Sequence, residues 1–275
     1  MAEFLEVLSF PFMRRALIVG VIVSLCAALL GVVLVLKRYS LIGHGLGEVG
    51  FAALALAMAL GLPPMPVAIP LVVAASFLIM YLSQRGALAG DAAIGIMAAA
   101  ALSFGVIVTS LSNGFNMDVS DYMFGSILAM SRGDVRLSVV LAAAVLTLYV
   151  IFYHKIFAIT FDENFARATG VKAGWYNMLI ALLTAITIVL GMRLMGTLLI
   201  SSLVIFPALT SMRILKSFRS VVICSAVLSV LCFLIGIFFS YIWSTPTGAS
   251  IVCVNIAAFF VFWAASFLLG RQRNR

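Results

Sequence analysis

The sequence predicts an all-α, polytopic membrane protein of eight or nine transmembrane helices, and three observations carry that prediction. Of its 275 residues, 65% are hydrophobic and only 9% charged. Mean hydropathy is +1.25. The apolar residues gather into stretches of about 20, the number a helix needs to cross the hydrocarbon core. A soluble domain is roughly half apolar and about a quarter charged. The few charged residues here cannot build a polar shell, so lipid must replace water around most of the chain. Soluble globular, disordered and fibrous classes are thereby excluded.

Nine stretches qualify. The first is 16–36 and the second 44–61. Gly61-Leu62-Pro63-Pro64 then breaks the chain, because proline ends one helix and can begin the next, here 64–83. Asp91 after Gly90 reads as an N-cap of the fourth stretch, 91–112. The fifth is 135–153. The sixth (175–194) and seventh (196–214) are separated only by Met192-Arg193-Leu194-Met195-Gly196, which leaves the count at eight or nine. Pro207 predicts a kink or an end within the seventh. The eighth is 220–241, and Thr245-Pro246 reads as an N-cap and first helical position for the ninth, 249–269. No loop is long enough to fold by itself, so residues 1–275 are expected to form one transmembrane domain.

The net charge is +8. In a soluble chain such an excess favours nucleic acid; here the cations sit between apolar stretches, so no nucleic-acid partner is expected and they act as topology signals. With the N-terminus outside and nine alternating spans, twelve Lys and Arg fall inside. Five (Arg14, Arg15, Arg132, Arg136 and Arg193) fall outside. That predicts a cytoplasmic C-terminus and two basic cytoplasmic loops, 154–174 and 212–220. Cys26, Cys224, Cys232 and Cys253 lie in apolar stretches without CxxC spacing and read as small hydrophobes. Two acids, Glu3 and Glu6, precede the first apolar run, and no cleavable leader is evident.

No GxxxxGK[ST] phosphate loop is present, nor a GxSxG, HExxH or kinase signature. Work against a gradient would need an ion gradient or a separate ATPase subunit. Ionisable groups inside hydrocarbon are costly and mark function. The segment Gly43-His44-Gly45-Leu46-Gly47-Glu48-Val49-Gly50 holds two of them. His44 and Glu48 are spaced i, i+4, on one helix face. Imidazole nitrogen with carboxylate oxygen suits zinc, manganese or ferrous iron. The surrounding glycines allow a second helix to approach or the segment to unwind beside a cavity. The alternative is a pair that merely satisfies itself. Two ligands do not complete a tetrahedral site, whereas two pairs meeting at a dimer axis supply four.

Two further regions carry open readings. Asp118, Asp121, Arg132, Asp134 and Arg136 make a mixed-charge outer rim, either solvated or a docking surface for an external partner. After Pro207, Ala208, Leu209, Thr210, Ser211, Met212, Arg213 and Lys216 lead to Arg219, either a topology anchor or a lever for an ATPase. His154 beside Lys155 is assigned no role.

Several stretches together resemble the permease subunit of the metal-ion (zinc, manganese, iron) ABC transporters. They are Met13-Arg14-Arg15-Ala16-Leu17; Val35-Leu36-Lys37-Arg38 before the glycine-rich segment; Tyr122-Met123-Phe124-Gly125-Ser126-Ile127-Leu128-Ala129; Thr160-Phe161-Asp162-Glu163 through Gly170-Val171; Met195-Gly196-Thr197 through Phe206-Pro207-Ala208; and Ser240-Tyr241 through Thr245-Pro246-Thr247-Gly248-Ala249-Ser250-Ile251-Val252. The resemblance implies a fold akin to the vitamin B12 and siderophore importers without their first helix. It further implies a homodimer in the plasma (inner) membrane, cytoplasmic ATP-binding subunits contacting 208–219, and an external metal-binding protein. On this reading the chain is not itself an enzyme and holds no permanent cofactor; a divalent metal ion is its cargo. Family members commonly carry Asp and His four residues apart in the glycine-rich segment, and here His44 and Glu48 reverse that order. The rivals are an ion-coupled carrier using Glu48 as a proton site, expected to show an inverted repeat, and an intramembrane metalloenzyme, which needs a third ligand and an activated water.

Overall fold

The computed structural model describes residues 11–84, 90–112 and 132–273, and every regular element among them is helical. In chain order these are α1 (Pro11–Leu36), α2 (Ile42–Ala59), α3 (Pro64–Gln84), α4 (Gly90–Leu111), α5 (Arg132–Ile151), α6 (Tyr153–Phe161), α7 (Glu163–Ala168), α8 (Ala173–Met195), α9 (Thr197–Met212), α10 (Phe218–Trp243) and α11 (Thr247–Arg273). Among the described residues, α1, α2, α3, α4, α8, α10 and α11 are long and apolar enough to cross a membrane. An eighth crossing follows if α5 and α6 act as one span, bent by 69°. Eight is the lower of the two expected counts.

The expected seventh stretch, 196–214, is α9, of 16 residues, a rise of about 24 Å against a core of about 30 Å. Its shortness is tolerable because it lies against α1, α10 and α11 rather than facing lipid; most of its residues are buried. The break before it is real: Gly196, at φ +82°, separates α8 from α9. Pro207 does not end α9, which continues to Met212, and the Ser211 hydroxyl donates to the Pro207 carbonyl at 2.8 Å. The fifth stretch behaves differently from expectation: the helix breaks at Phe152 and turns into α6 instead of ending at 153. Asp91 stands inside the first turn of α4 rather than before it, where its carboxylate still complements the positive end of the helix dipole.

The junctions follow from backbone chemistry. Gly61 (φ +65°) ends α2, with Leu62 N–H donating to the Ala57 carbonyl at 2.8 Å. Arg38 does the same for α1 at φ +63°, and Tyr39 N–H donates to the Leu34 carbonyl at 2.8 Å. Both are left-handed caps in which late N–H groups satisfy the last carbonyls. The Tyr39 hydroxyl, 2.8 Å from the Ser83 hydroxyl, ties the α1–α2 turn to the end of α3.

Between helices, small residues set the separation, as expected where hydrocarbon offers no hydrophobic drive for helix association. A Cβ at Gly31 would fall on the backbone carbonyl of Val204, so α1 and α9 touch main chain to main chain; at Gly236 it would lie 2.5 Å from the Ile251 Cα of α11. Cys26 and Cys232 are buried, Cys224 is half-buried and Cys253 exposed, all as free thiols.

Candidate functional site

α2 is the helix on which the sequence placed its ionisable pair, and it is enclosed by α3, α4, α8 and α9. It is a continuous helix, so the glycines serve close approach and not unwinding. A Cβ at Gly45 would meet Ile94 Cγ2 of α4 at 2.6 Å. At Gly47 it would meet Thr197 Cγ2 of α9 at 3.2 Å, and at Gly43 the Ser201 Cα at 3.4 Å. Three glycines thus seat α4 on one side of α2 and the hydroxyl-bearing start of α9 on another.

On this helix only His44 and the terminal Ala59 are exposed. His44 Nδ1 lies 3.8 Å from Glu48 Oε1, with side-chain exposures of 55% and 11%. That distance is too long for a hydrogen bond. The pair is therefore one buried carboxylate beside one imidazole that opens out of the bundle. No group of three or more His, Cys, Asp and Glu converges among the described residues, so these residues offer an ion the His44–Glu48 pair.

The other expected site residues divide by placement. In the segment after Pro207, Ala208, Thr210 and Ser211 are buried in the bundle, whereas Leu209, Arg213 and Lys216 are exposed. A surface for a partner would consist of these three with Ile214, Ser217 and Arg219. The Arg213 guanidinium sits 5.5 Å over the Phe259 ring. Ser217 caps α10, accepting from Ser220 N–H at 3.3 Å, and Phe218 packs on Tyr153, Phe157 and Phe161 of α6. In the rim, Asp118 and Asp121 lie outside the described residues. Arg132 and Asp134 belong to the first turn of α5, their side chains outside the description, and Arg136 is exposed.

Sequence reasoning missed a second polar centre. Lys37, in the α1–α2 turn, donates to the Asn177 side-chain oxygen at 2.7 Å and to Glu163 Oε2 at 3.4 Å. The Asn177 amide donates to Glu163 Oε2 at 3.1 Å, and Arg167 to Oε1 at 2.6 Å. The Lys37 side chain is only 10% exposed. Burial pushes its ammonium below the usual lysine value, a shift the Glu163 charge opposes. Burial would raise the Glu163 carboxyl, but the Asn177 hydrogen bond, the Lys37 charge and the Arg167 contact outweigh it and hold it below its ordinary value. The available signal was a buried-type position holding Asn177 within an apolar stretch.

The comparisons agree with this architecture along nearly the full length. The manganese import system permease protein ScaB of Streptococcus gordonii is 29% identical over 272 residues, covering 98% of this chain and 96% of that one. The high-affinity zinc uptake system membrane protein ZnuB of Haemophilus influenzae is 28% identical over 258 residues, covering 94% and 98%. The solved structure of PsaBC from Streptococcus pneumoniae, in complex with Fab, contains a chain that superposes at TM-score 0.84 with 29% identity, covering 95% of both chains. The helical bundle, its glycine-seated second helix and a family profile matched across residues 9–266 lead to one assignment: the chain belongs to the ABC 3 transport family.

Proposed function

We propose that this chain is the membrane-spanning permease subunit of an ABC importer that moves a divalent transition-metal ion, manganese or zinc, into the cytoplasm. The observation that carries the reading is His44: the single exposed position of an otherwise buried helix before its last residue, it holds an imidazole beside the buried Glu48 carboxylate. Two ligands with a doubly charged ion suit transient holding, since each further strong ligand would slow release. A second copy of the chain across a two-fold axis would bring a second pair to the same passage. Relatives named for manganese and zinc import support the cargo class.

In this mechanism an external metal-binding protein docks on the rim that includes Arg136 and delivers the ion to the passage. His44 nitrogen and Glu48 oxygen replace part of its water shell. Cytoplasmic ATP-binding subunits grip the exposed edge of 208–219, and their closure on ATP moves α9 and α10. Because α9 packs directly on Gly43 and Gly47, that movement changes the space beside His44. With α9 counted as a ninth crossing, the twelve-to-five distribution of cations supports a cytoplasmic C-terminus in the plasma membrane. No chemistry is performed on the cargo, so the subunit is not an enzyme and holds no resident cofactor.

The test is ATP hydrolysis by the reconstituted complex with its loaded external protein, scanned across manganese, zinc and iron. Stimulation by manganese or zinc is expected, together with loss of uptake in H44A/E48A while assembly with the ATP-binding subunit persists. Normal uptake in that variant would refute the site. Uptake that survives removal of the ATP-binding subunit would instead favour the ion-coupled carrier.

A further inference from the structure

We propose that the cleft between α6 and the start of α8 is a binding site for a phosphate group, supplied by an acidic phospholipid headgroup or by free inorganic phosphate. The cleft has a volume of about 270 Å³ and is lined by Lys155, Gly170, Val171, Lys172, Trp175 and Tyr176. Its polar side chains offer two ammonium groups and an indole N–H, which only donate, and a phenol O–H that can donate too. Neither lysine forms an ion pair among the described residues. The acids of the same loop are committed elsewhere. Asp162 accepts from Phe165 N–H at 2.9 Å as the cap of α7, and Glu163 is held by Lys37, Asn177 and Arg167. Two cations thus remain uncompensated in one concave place.

The walls are fixed. Trp175 and Tyr176 pack edge-on, with centroids 5.0 Å apart, and both meet Phe152 at 5.6 Å. Gly170 turns the chain at φ +84°, and Lys172 stands as the cap of the 23-residue α8 without a side-chain capping bond. The first-turn N–H groups there add a partial positive charge to that of the lysines. The position selects the occupant's shape. Lys172 directly precedes the span 173–192, and Trp175 is 52% exposed. An aromatic ring with basic neighbours at a span end is the arrangement that meets headgroups. A lipid phosphate can reach the lysines while its chains start along the exposed Trp175 and Met178 in the first two turns of α8.

The experiment is native mass spectrometry of the full chain purified in detergent, titrated with dioleoylphosphatidylglycerol, dioleoylphosphatidylcholine and inorganic phosphate. Retention of the glycerol lipid over the choline lipid is expected, reduced about thirtyfold in K155Q/K172Q, roughly fivefold per lysine, and kept in K155R/K172R. Lysine-dependent binding of inorganic phosphate without lipid preference upholds the phosphate site and assigns it to the free anion. Equal retention of both lipids by the parent with no phosphate binding, or glycerol-lipid retention unchanged in K155Q/K172Q, overturns the proposal. Should the double variant fail to fold, the single variants K155Q and K172Q, each expected fivefold weaker, give the same decision.

Discussion

Glu48 and Glu163 are both carboxylates with a basic partner one helical turn along or back, yet the fold treats them in opposite ways. Glu163 is reached by three donors from three parts of the chain: Lys37 from the α1–α2 turn, Asn177 from α8 and Arg167 from its own helix. Glu48 has His44 as its one ion-pair partner among the described residues, at 3.8 Å. A carboxylate with all its hydrogen bonds made is a structural rivet; removing it leaves other buried polar groups unsatisfied. A buried carboxylate with spare lone pairs costs the fold something and is worth keeping only if a ligand fills them. The centre that is poorer in contacts is therefore the better candidate for transport, and the richer one the better candidate for holding helices together.

The largest expected effect separates the two centres directly. Lys37→Ala or Glu163→Ala should destabilise the chain by about 2 kcal/mol, less than the 3–5 of a fully buried broken pair because Glu163 is partly exposed. Glu48→Ala should cost the chain less than Glu163→Ala, about 1 kcal/mol or below, since no hydrogen-bonded partner is stranded. Uptake per folded molecule should respond the other way, falling to background in Glu48→Ala and persisting in Glu163→Ala. Thermal midpoints in detergent and uptake in vesicles, measured on the same preparations, decide it. A destabilised Glu48→Ala with normal uptake would erase the distinction.

The next effect concerns how α2 is held. A Cβ at Gly45 meets Ile94 Cγ2 at 2.6 Å, whereas one at Gly95 on the neighbouring helix meets nothing within 4 Å. Gly45→Ala should cost about 1 kcal/mol through overpacking, and Gly95→Ala should be neutral or slightly favourable. Ile94→Leu, which lacks the Cγ2 methyl, should recover most of the loss when combined with Gly45→Ala. Failure of that rescue would mean that the strain arises elsewhere on α2, and the tight seating of the His44 segment would lose its support.

These two centres also show what a single sequence makes legible. His44 and Glu48 stand four residues apart in an apolar stretch, so helical geometry alone brings them together. Glu163 and Arg167 have the same spacing, but their decisive partner Lys37 is 126 positions away, and no local pattern encodes that meeting. The spans were legible because 20 apolar residues leave little choice, and the α2–α3 turn because Gly61 and Pro63 punctuate it. The bend between α5 and α6 was not: residues 151–153 carry neither glycine nor proline, and Phe152 at the turn packs on Trp175 and Tyr176 of a helix distant in sequence. The segment after Pro207 runs along the end of α9 and its exit, and the alternation of buried and exposed positions within it depends on which helices surround α9.

The smallest expected effect is a pH dependence carried by the Glu163 centre. The folded chain holds the Glu163 carboxyl below its ordinary value, so the folded state binds fewer protons than the unfolded state as the group titrates. Its contribution is complete above the unfolded pKa, about 4.3, and is lost as pH falls through the lower folded value. Lys37, lowered by burial, works at the alkaline end with the opposite cause: its buried charge opposes folding, and that penalty fades as pH rises from the folded toward the unfolded lysine value. With the Glu163 side chain 29% exposed, solvent screening keeps the acid-side term below about 1 kcal/mol. The thermal midpoint should therefore fall on acidification below about pH 4.3 in the parent, and the fall should be shallower in Glu163→Gln, which keeps the side chain's shape without its proton equilibrium. An identical slope in the parent and Glu163→Gln would instead assign acid sensitivity to other carboxylates, and the picture of Glu163 as the riveted member of the pair would fail on its own chemistry.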